Sequence, residues 1–313
     1  MLSVSTRMVC IGECMVELSE RADGTIGRAF GGDTLNTALY LARLGVPVDY
    51  ATVLGDDPFS DEMVAAWRKE GIGTELVLRL RGRLPGLYLI RTDAAGERTF
   101  FHWRDSAPVR DLFAAPSLAT VTDAVMQAGL IYVSGITLSL FAGAAREALF
   151  ALLRQARAAG ARIAFDTNYR ARGWPDPVAA QQAYEQAFSL SDIVLAGVED
   201  LAPVFGSADP HDAMARLRAA GVTEALIKLA DPACHVMSAD GDDLVVADPV
   251  AAVVDTTAAG DSFAAGYLAA RAAGRQPIDA TRAGHRLAGV VIGHRGAIIP
   301  LASMPSPSLE ALP

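Results

Sequence analysis

Asp255-Thr256-Thr257-Ala258-Ala259-Gly260-Asp261-Ser262-Phe263-Ala264-Ala265-Gly266-Tyr267-Leu268 follows an apolar run, residues 250–254, and leads into good helix formers over 263–273. The small residues Ala258, Ala259 and Gly260 therefore fall at a helix N-terminus. Backbone N–H groups there lack intrahelical partners and make a site for an anion such as phosphate. Asp261 stands in the same turn. A carboxylate at that place can take the proton of a hydroxyl attacking a phosphate, while the amides stabilise charge building on the transferred group. The same residues would also make a plain N-cap, a role in which Asp, Thr and Ser contribute about 1 kcal/mol.

Working outward, short β-type runs alternate with longer Ala-rich helical stretches. Strands are expected over residues 8–18, 49–54, Leu130–Ser134, Arg162–Asp166, 193–196 and 225–229. Helices are expected over 33–44, 58–70 and 140–159, closed by Gly45, Gly71 and Gly160. This βαβα order predicts an α/β fold with a mostly parallel central sheet covered by helices on both faces. Residues 74–80 and 86–103 break the alternation. They carry β-type residues and turn signals at Gly82, Pro85 and residues 93–96, with no helix between them. They predict a small projecting β-sheet, which could cover a cleft or pair with a second subunit. After Cys234 two short strands and two helices complete the chain. With no Ser- or Pro-rich linker and no repeat, residues 1–313 read as one domain, its lid formed mainly by about 74–103 plus a short N-terminal segment.

Composition narrows the function classes. Half of the 313 residues are hydrophobic (51%) and 20% are charged, enough to bury a large core. A formal charge of -9 and no dense Lys/Arg run argue against nucleic acid and against anionic membranes. Arg7, Glu13 and Glu17 interrupt the apolar N-terminus, so neither a signal peptide nor a membrane span is expected there, and the protein reads as cytoplasmic. Three cysteines make no disulfide framework, and Cys10 and Cys14 would share one strand face. The five histidines show no mutual ligand spacing and are given no catalytic role. No Gly-x-x-x-x-Gly-Lys-Ser/Thr is present, and no Gly-x-Gly-x-x-Gly opens the first helix, so neither a P-loop nor a dinucleotide fingerprint applies.

Residues 255–261 resemble the Asp-Thr-Thr-Gly-Ala-Gly-Asp signature of ribokinase-like (PfkB) carbohydrate kinases, with Ala258 where that pattern usually has glycine. Alanine is harmless at helical φ/ψ and strained at a positive φ. The Ala-Ala-Gly-Asp form resembles the 2-keto-3-deoxygluconate kinase branch, as does the tail His294-Arg-Gly-Ala-Ile-Ile-Pro300. Phe30-Gly31-Gly32-Asp33-Thr34-Leu35-Asn36 is similar to the family's first glycine motif, where Gly31 and Gly32 would let sugar hydroxyls approach the backbone, and Asp33 and Asn36 would bond them. Asp166-Thr167-Asn168-Tyr169-Arg170 resembles the Asp-x-Asn-x-Arg element after a central strand, offering Asn168 and Arg170. Thr99-Phe100-Phe101-His102-Trp103-Arg104 resembles the lid's aromatic-Arg pair, and with it Tyr88 is implied to face substrate.

This resemblance spans nearly the whole chain and implies an ATP-dependent sugar kinase. Asp261 would be its base, and Arg104 and Arg170 would hold the carboxylate of a sugar acid, 2-keto-3-deoxygluconate. Nucleotide contacts are implied for Lys228, Asp255, Thr257 and Gly260. Mg²⁺ would neutralise the β- and γ-phosphates, steadied indirectly by Glu199 or Asp200, where Gly197 replaces the family's Asn. A monovalent cation and a homo-oligomer through the lid are further expectations of the resemblance. A fructokinase, ribokinase or 2-keto-3-deoxygalactonate kinase of the same fold stays open, as does a sugar-binding regulator without catalysis. An NAD-dependent oxidoreductase is a remoter alternative.

Overall fold

A computed structural model of the chain describes residues 6–20, 23–92 and 98–305. The expected turn at 93–96 lies outside the described residues. The strands are β1 (Met8–Ile11), β2 (Met15–Glu20), β3 (Ile26–Gly31), β4 (Val48–Gly55), β5 (Val77–Leu80), β6 (Leu87–Thr92), β7 (Arg98–Trp103), β8 (Leu130–Ser134), β9 (Arg162–Asp166), β10 (Ile193–Gly197), β11 (Glu224–Lys228), β12 (Ala233–Ser238) and β13 (Gly241–Val246). The helices are α1 (Asp33–Arg43), α2 (Pro58–Lys69), α3 (Leu118–Gln127), α4 (Gly135–Leu140), α5 (Ala144–Ala158), α6 (Pro177–Leu190), α7 (Val198–Phe205), α8 (Pro210–Ala219), α9 (Ala259–Ala272) and α10 (Pro277–Ile292).

A nine-stranded sheet runs β13-β12-β11-β10-β9-β8-β1-β4-β5. It is parallel from β11 to β5, and β12 and β13 add antiparallel at one edge. Strand alternation sends Val9 and Ile11 into a core on one side and Met8 and Cys10 into a core on the other, as a doubly covered sheet requires. Cys14 joins the Cys10 side from the loop beyond β1. A separate sheet, β3-β2-β6-β7, forms the lid.

Three expectations are corrected. The single strand over 8–18 divides: β1 stays in the main sheet and β2 enters the lid. Gly12 sits at the break, where a Cβ would collide with Thr34 Oγ1 at 2.1 Å. The lid does not include 74–80, because β5 pairs parallel with β4 at the main sheet's edge and buries Leu78 in its core. The short N-terminal segment expected in the lid is β2 and β3. The helix over 140–159 is broken at Gly143 (φ 51°), which separates α4 from α5.

Candidate active site

The parallel strands β1, β9, β10 and β11 all end at one edge of the main sheet, where open α/β sheets place ligands. Asp166 closes β9 and Lys228 closes β11, one on each side of β10. Lys228 Nζ spans that gap and lies 3.3 and 3.4 Å from the two Asp166 carboxylate oxygens. Asp166 is buried, and burial pushes its carboxyl upward while the Lys228 charge pulls it down. Sequence reading passed over Asp166 as a site residue. Its signal was a charged residue ending an apolar strand, Ile163-Ala164-Phe165-Asp166.

Facing this pair is the first turn of α9. Ser262 N donates to Ala258 O at 2.9 Å, so the amides before Ser262 precede the helix's own ladder. Asp261 Oδ2 accepts from Asn36 Nδ2 at 2.8 Å. Thr37 Oγ1 donates to the Asp261 carbonyl at 3.3 Å and also reaches Tyr132 Oη, which in turn contacts Asp166 Oδ2 at 3.4 Å. Thus α1 fixes both ends of Asp261. Burial first, and then the Asp33 charge, push the Asp261 carboxyl up to about 8, against the Asn36 hydrogen bond. Such a value near neutrality suits a general base. Asp33 Oδ2 itself accepts from Asn168 Nδ2 at 2.9 Å, so the glycine motif and the Asp-x-Asn-x-Arg element meet here.

Ala258 is left-handed, with φ 61° and ψ 17°. The residue that replaces the usual glycine therefore carries backbone strain and is not helical. Relieving it with Ala258→Gly should raise stability by about 0.5–1 kcal/mol, the αL strain of alanine outweighing the added freedom of the unfolded chain. Urea unfolding of the two proteins checks this; an equal or lower midpoint would show that the loop is unstrained.

Residues 5–304 match the pfkB family carbohydrate kinases. The chain belongs to this family. It is 45% identical over 304 residues to the 2-dehydro-3-deoxygluconokinase of Dickeya dadantii, covering 95% of this chain and 97% of that protein. With the enzyme of the same description from Escherichia coli K12 it shares 43% over 311 residues, covering 97% and 100%. The solved 2-dehydro-3-deoxygluconokinase of Thermotoga maritima superposes with a TM-score of 0.83 at 22% identity, over 96% of each chain. The ATP-bound fructokinase of Xylella fastidiosa gives 0.81 at 23%, over 96% and 95%. These two likenesses establish the fold, which is the pfkB, ribokinase-like one.

On that fold the lid presents two unlike faces. Register pairs Tyr88 with Glu17 on one side and His102 on the other, so these three share a face. Tyr88 donates a hydrogen bond to Glu17 Oε2. The Tyr88 hydroxyl stands over Gly31, so this face looks toward the glycine motif. Trp103 alternates to the opposite face and is 59% exposed. The aromatic partner on the Tyr88 face is His102, stacked on Tyr88 at 5.8 Å. Burial and the Arg104 and Arg172 charges lower its pKa. Trp103 as a cleft-facing ring is thereby corrected: sequence gave the motif without its register. Gly31 lies under the Tyr88 hydroxyl, where a Cβ would meet it at 2.2 Å, and Gly32 backs onto the Glu13 carbonyl at 2.1 Å. Both positions exclude side chains.

Arg104 is bonded through Nη2 to Glu13 Oε2. Arg170 is 61% exposed, donates to the Tyr169 carbonyl at 2.7 Å and lies 3.6 Å from Asp200. Asp200 is engaged otherwise than expected. Its two oxygens accept from Thr167 Oγ1 at 2.9 Å and Tyr169 N at 3.1 Å, so it braces the 167–170 loop and has little left for a metal. Glu199, beside it, is exposed. Among the described residues no group of three acidic, His or Cys side chains forms a metal cage. Asp255 organises its loop: Oδ1 accepts from Thr257 N and Oγ1, and Oδ2 accepts from Gly296 N at 3.0 Å. Of the residues read as nucleotide contacts, Lys228 and Gly260 adjoin Asp261, a Cβ on Gly260 lying 3.6 Å from Lys228 Nζ. Asp255 and Thr257 bind each other.

Proposed function

We propose that this pfkB-family kinase transfers the γ-phosphoryl group of ATP to the terminal hydroxyl of 2-keto-3-deoxygluconate, giving the 6-phosphate and ADP. The observation that carries this reading is Asp261, held by Asn36 in the first turn of α9 beside the Gly260 amide, with Lys228 alongside. The names of the relatives at 43% and 45% identity supply the substrate.

Asp261 takes the proton of the substrate hydroxyl as its oxygen attacks the γ-phosphorus. The bond from that phosphorus to the bridging oxygen of ADP breaks. The amides of Gly260 and Asp261 and the Lys228 ammonium stabilise charge on the phosphoryl group in transfer, the Ala259 amide being taken by the Thr256 carbonyl at 3.2 Å. Mg²⁺ arrives with ATP and neutralises its phosphates. With Asp200 committed to the 167–170 loop and no cage among the described residues, the phosphates and water would supply most of its coordination. Arg104 and Arg170 hold the sugar-acid carboxylate, Asp33, Asn36 and Asn168 take its hydroxyls, and the lid excludes water. The lid's outer face, with Phe101 and Trp103 exposed, is where a second copy would pack. No helix among the described residues is long and apolar enough to cross a membrane.

The test is ADP release with Mg·ATP across 2-keto-3-deoxygluconate, 2-keto-3-deoxygalactonate, fructose and ribose. Turnover confined to the keto-deoxy acids is expected. Turnover of fructose or ribose instead would overturn the substrate and keep the kinase; none at all would overturn the kinase.

A further inference from the structure

We propose that Glu13 is a positioning residue for substrate recognition, setting Arg104 from the foot of the lid. The inference rests on Arg104 as a carboxylate ligand, the reading given above.

The chain crosses between main body and lid four times: at Gly12–Cys14 into β2, at Gly32 out of β3, at Gly86 into β6, and at Arg104 out of β7. All four crossings meet at Glu13. Its backbone oxygen lies 2.1 Å from where a Gly32 Cβ would be, and its Oε1 lies 2.7 Å from where a Gly86 Cβ would be. Its Oε2 bonds Arg104 Nη2. That Gly86 Cβ would also lie 3.3 Å from Arg104 Cβ. From the body side, Arg110 donates to the Arg104 carbonyl at 3.3 Å and to the Leu140 carbonyl at 3.0 Å, fixing the backbone that carries the guanidinium.

The pair is not arranged for stability. Glu13 is 3% exposed and Arg104 19%, and apolar residues of similar size would hold such a junction as well or better. Its contact is single-pronged. Glu13 Oε1 and Arg104 Nε are both buried without a hydrogen-bond partner among the described residues, although a guanidinium and a carboxylate can close a two-bond fork. Glu13 thus grips one nitrogen of Arg104 and leaves other donors of a five-donor group for a ligand. It fixes the arginine where lid and body join, so that a bound carboxylate and the lid position are read by one residue.

Steady-state kinetics of Glu13→Gln tests this, since Gln keeps the shape and loses the charge. The KM for 2-keto-3-deoxygluconate should rise on the order of tenfold, as for a lost supporting contact to a binding group. The kcat should stay within about twofold, and the KM for ATP should not move, the signature of lost ground-state binding. Because Glu13 acts through Arg104, Glu13→Gln combined with Arg104→Leu should be no worse than Arg104→Leu alone. An unchanged KM, or losses that add in the double variant, would overturn the proposal. Should the Gln variant not fold, Glu13→Asp retains charge and shortens reach. A raised KM at constant kcat is then expected, and an unaltered KM overturns the proposal equally. Absence of wild-type turnover with the keto-deoxy acid would strike the substrate reading instead.

Discussion

Replacing Asp261 with asparagine should remove about 10²–10⁴ of the turnover, the usual worth of a general base, and should make the protein more stable at pH 8. Asparagine keeps the size and an oxygen for Asn36 Nδ2, now 2.8 Å from the carboxylate, so sugar and ATP binding should survive. The stability gain follows from linkage. The carboxyl sits at about 8 in the folded protein, against roughly 3.9 in an unfolded chain. Below pH 4 both states hold the proton. Between about 4 and 8 the folded state holds a proton that the unfolded state has released, so stability falls as pH rises through that window. Asparagine escapes the loss, and the gain at pH 8 should be on the order of 1–3 kcal/mol. For the same reason wild-type kcat/KM should climb with pH toward a limb near 8. The checks are ADP release and urea midpoints at pH 5 and 8. Unimpaired turnover would remove Asp261 as the base, and a stability gain over wild type no larger at pH 8 than at pH 5 would remove the buried-charge argument.

What was legible in the sequence was whatever lies close together along the chain. Residues 255–261 bring the proposed cradle and base together in seven consecutive positions, and small residues before a helix suggest an anion site without any tertiary information. The alternation of strands and helices likewise fixed the parallel sheet. Pairing across the fold was not legible. Asp166 and Lys228 end strands separated by 62 positions and meet only because β10 lies between them. Trp103 and His102 are neighbours in the motif, but a strand turns them to opposite faces, and only the register with Tyr88 tells which one looks inward. Residues 77–80 have lid-like composition and still join the main sheet, because β4 offers them a partner edge. Ala258 was readable as an exception to a glycine pattern, whereas its sign, strained or harmless, waited on φ. Asp200 is the converse case: a carboxylate in a metal-like position on α7 that the Thr167 hydroxyl and the Tyr169 amide of the loop after β9 consume.

Arg104→Leu should combine the largest loss of substrate affinity with a loss of stability, and Arg170→Leu should show the first without the second. Arg104 is the partner of a carboxylate that is 3% exposed. Removing it leaves the Glu13 charge buried and alone, which costs about 3–5 kcal/mol. Burial already pushes the Glu13 carboxyl upward and the arginine opposes that push, so without the arginine Glu13 will protonate more readily. A group whose folded pKa is raised destabilises the protein as pH rises, so the leucine variant should recover stability on acidification toward pH 5. Arg170, 61% exposed and 3.6 Å from Asp200, forms a screened pair worth at most about 1 kcal/mol, and its removal should hardly move the urea midpoint. In binding the two variants converge. Each loses a charge-assisted contact worth roughly 1.5–3 kcal/mol to a bound carboxylate, or a KM rise of about 10- to 100-fold for the sugar acid. A neutral sugar has no carboxylate to lose, so KM for fructose, where turnover can be detected, should change little in either variant. Equal effects on acid and neutral sugars would show that neither arginine holds a carboxylate. A leucine at 104 that leaves stability untouched would show that Glu13 finds another partner when the lid loses its own.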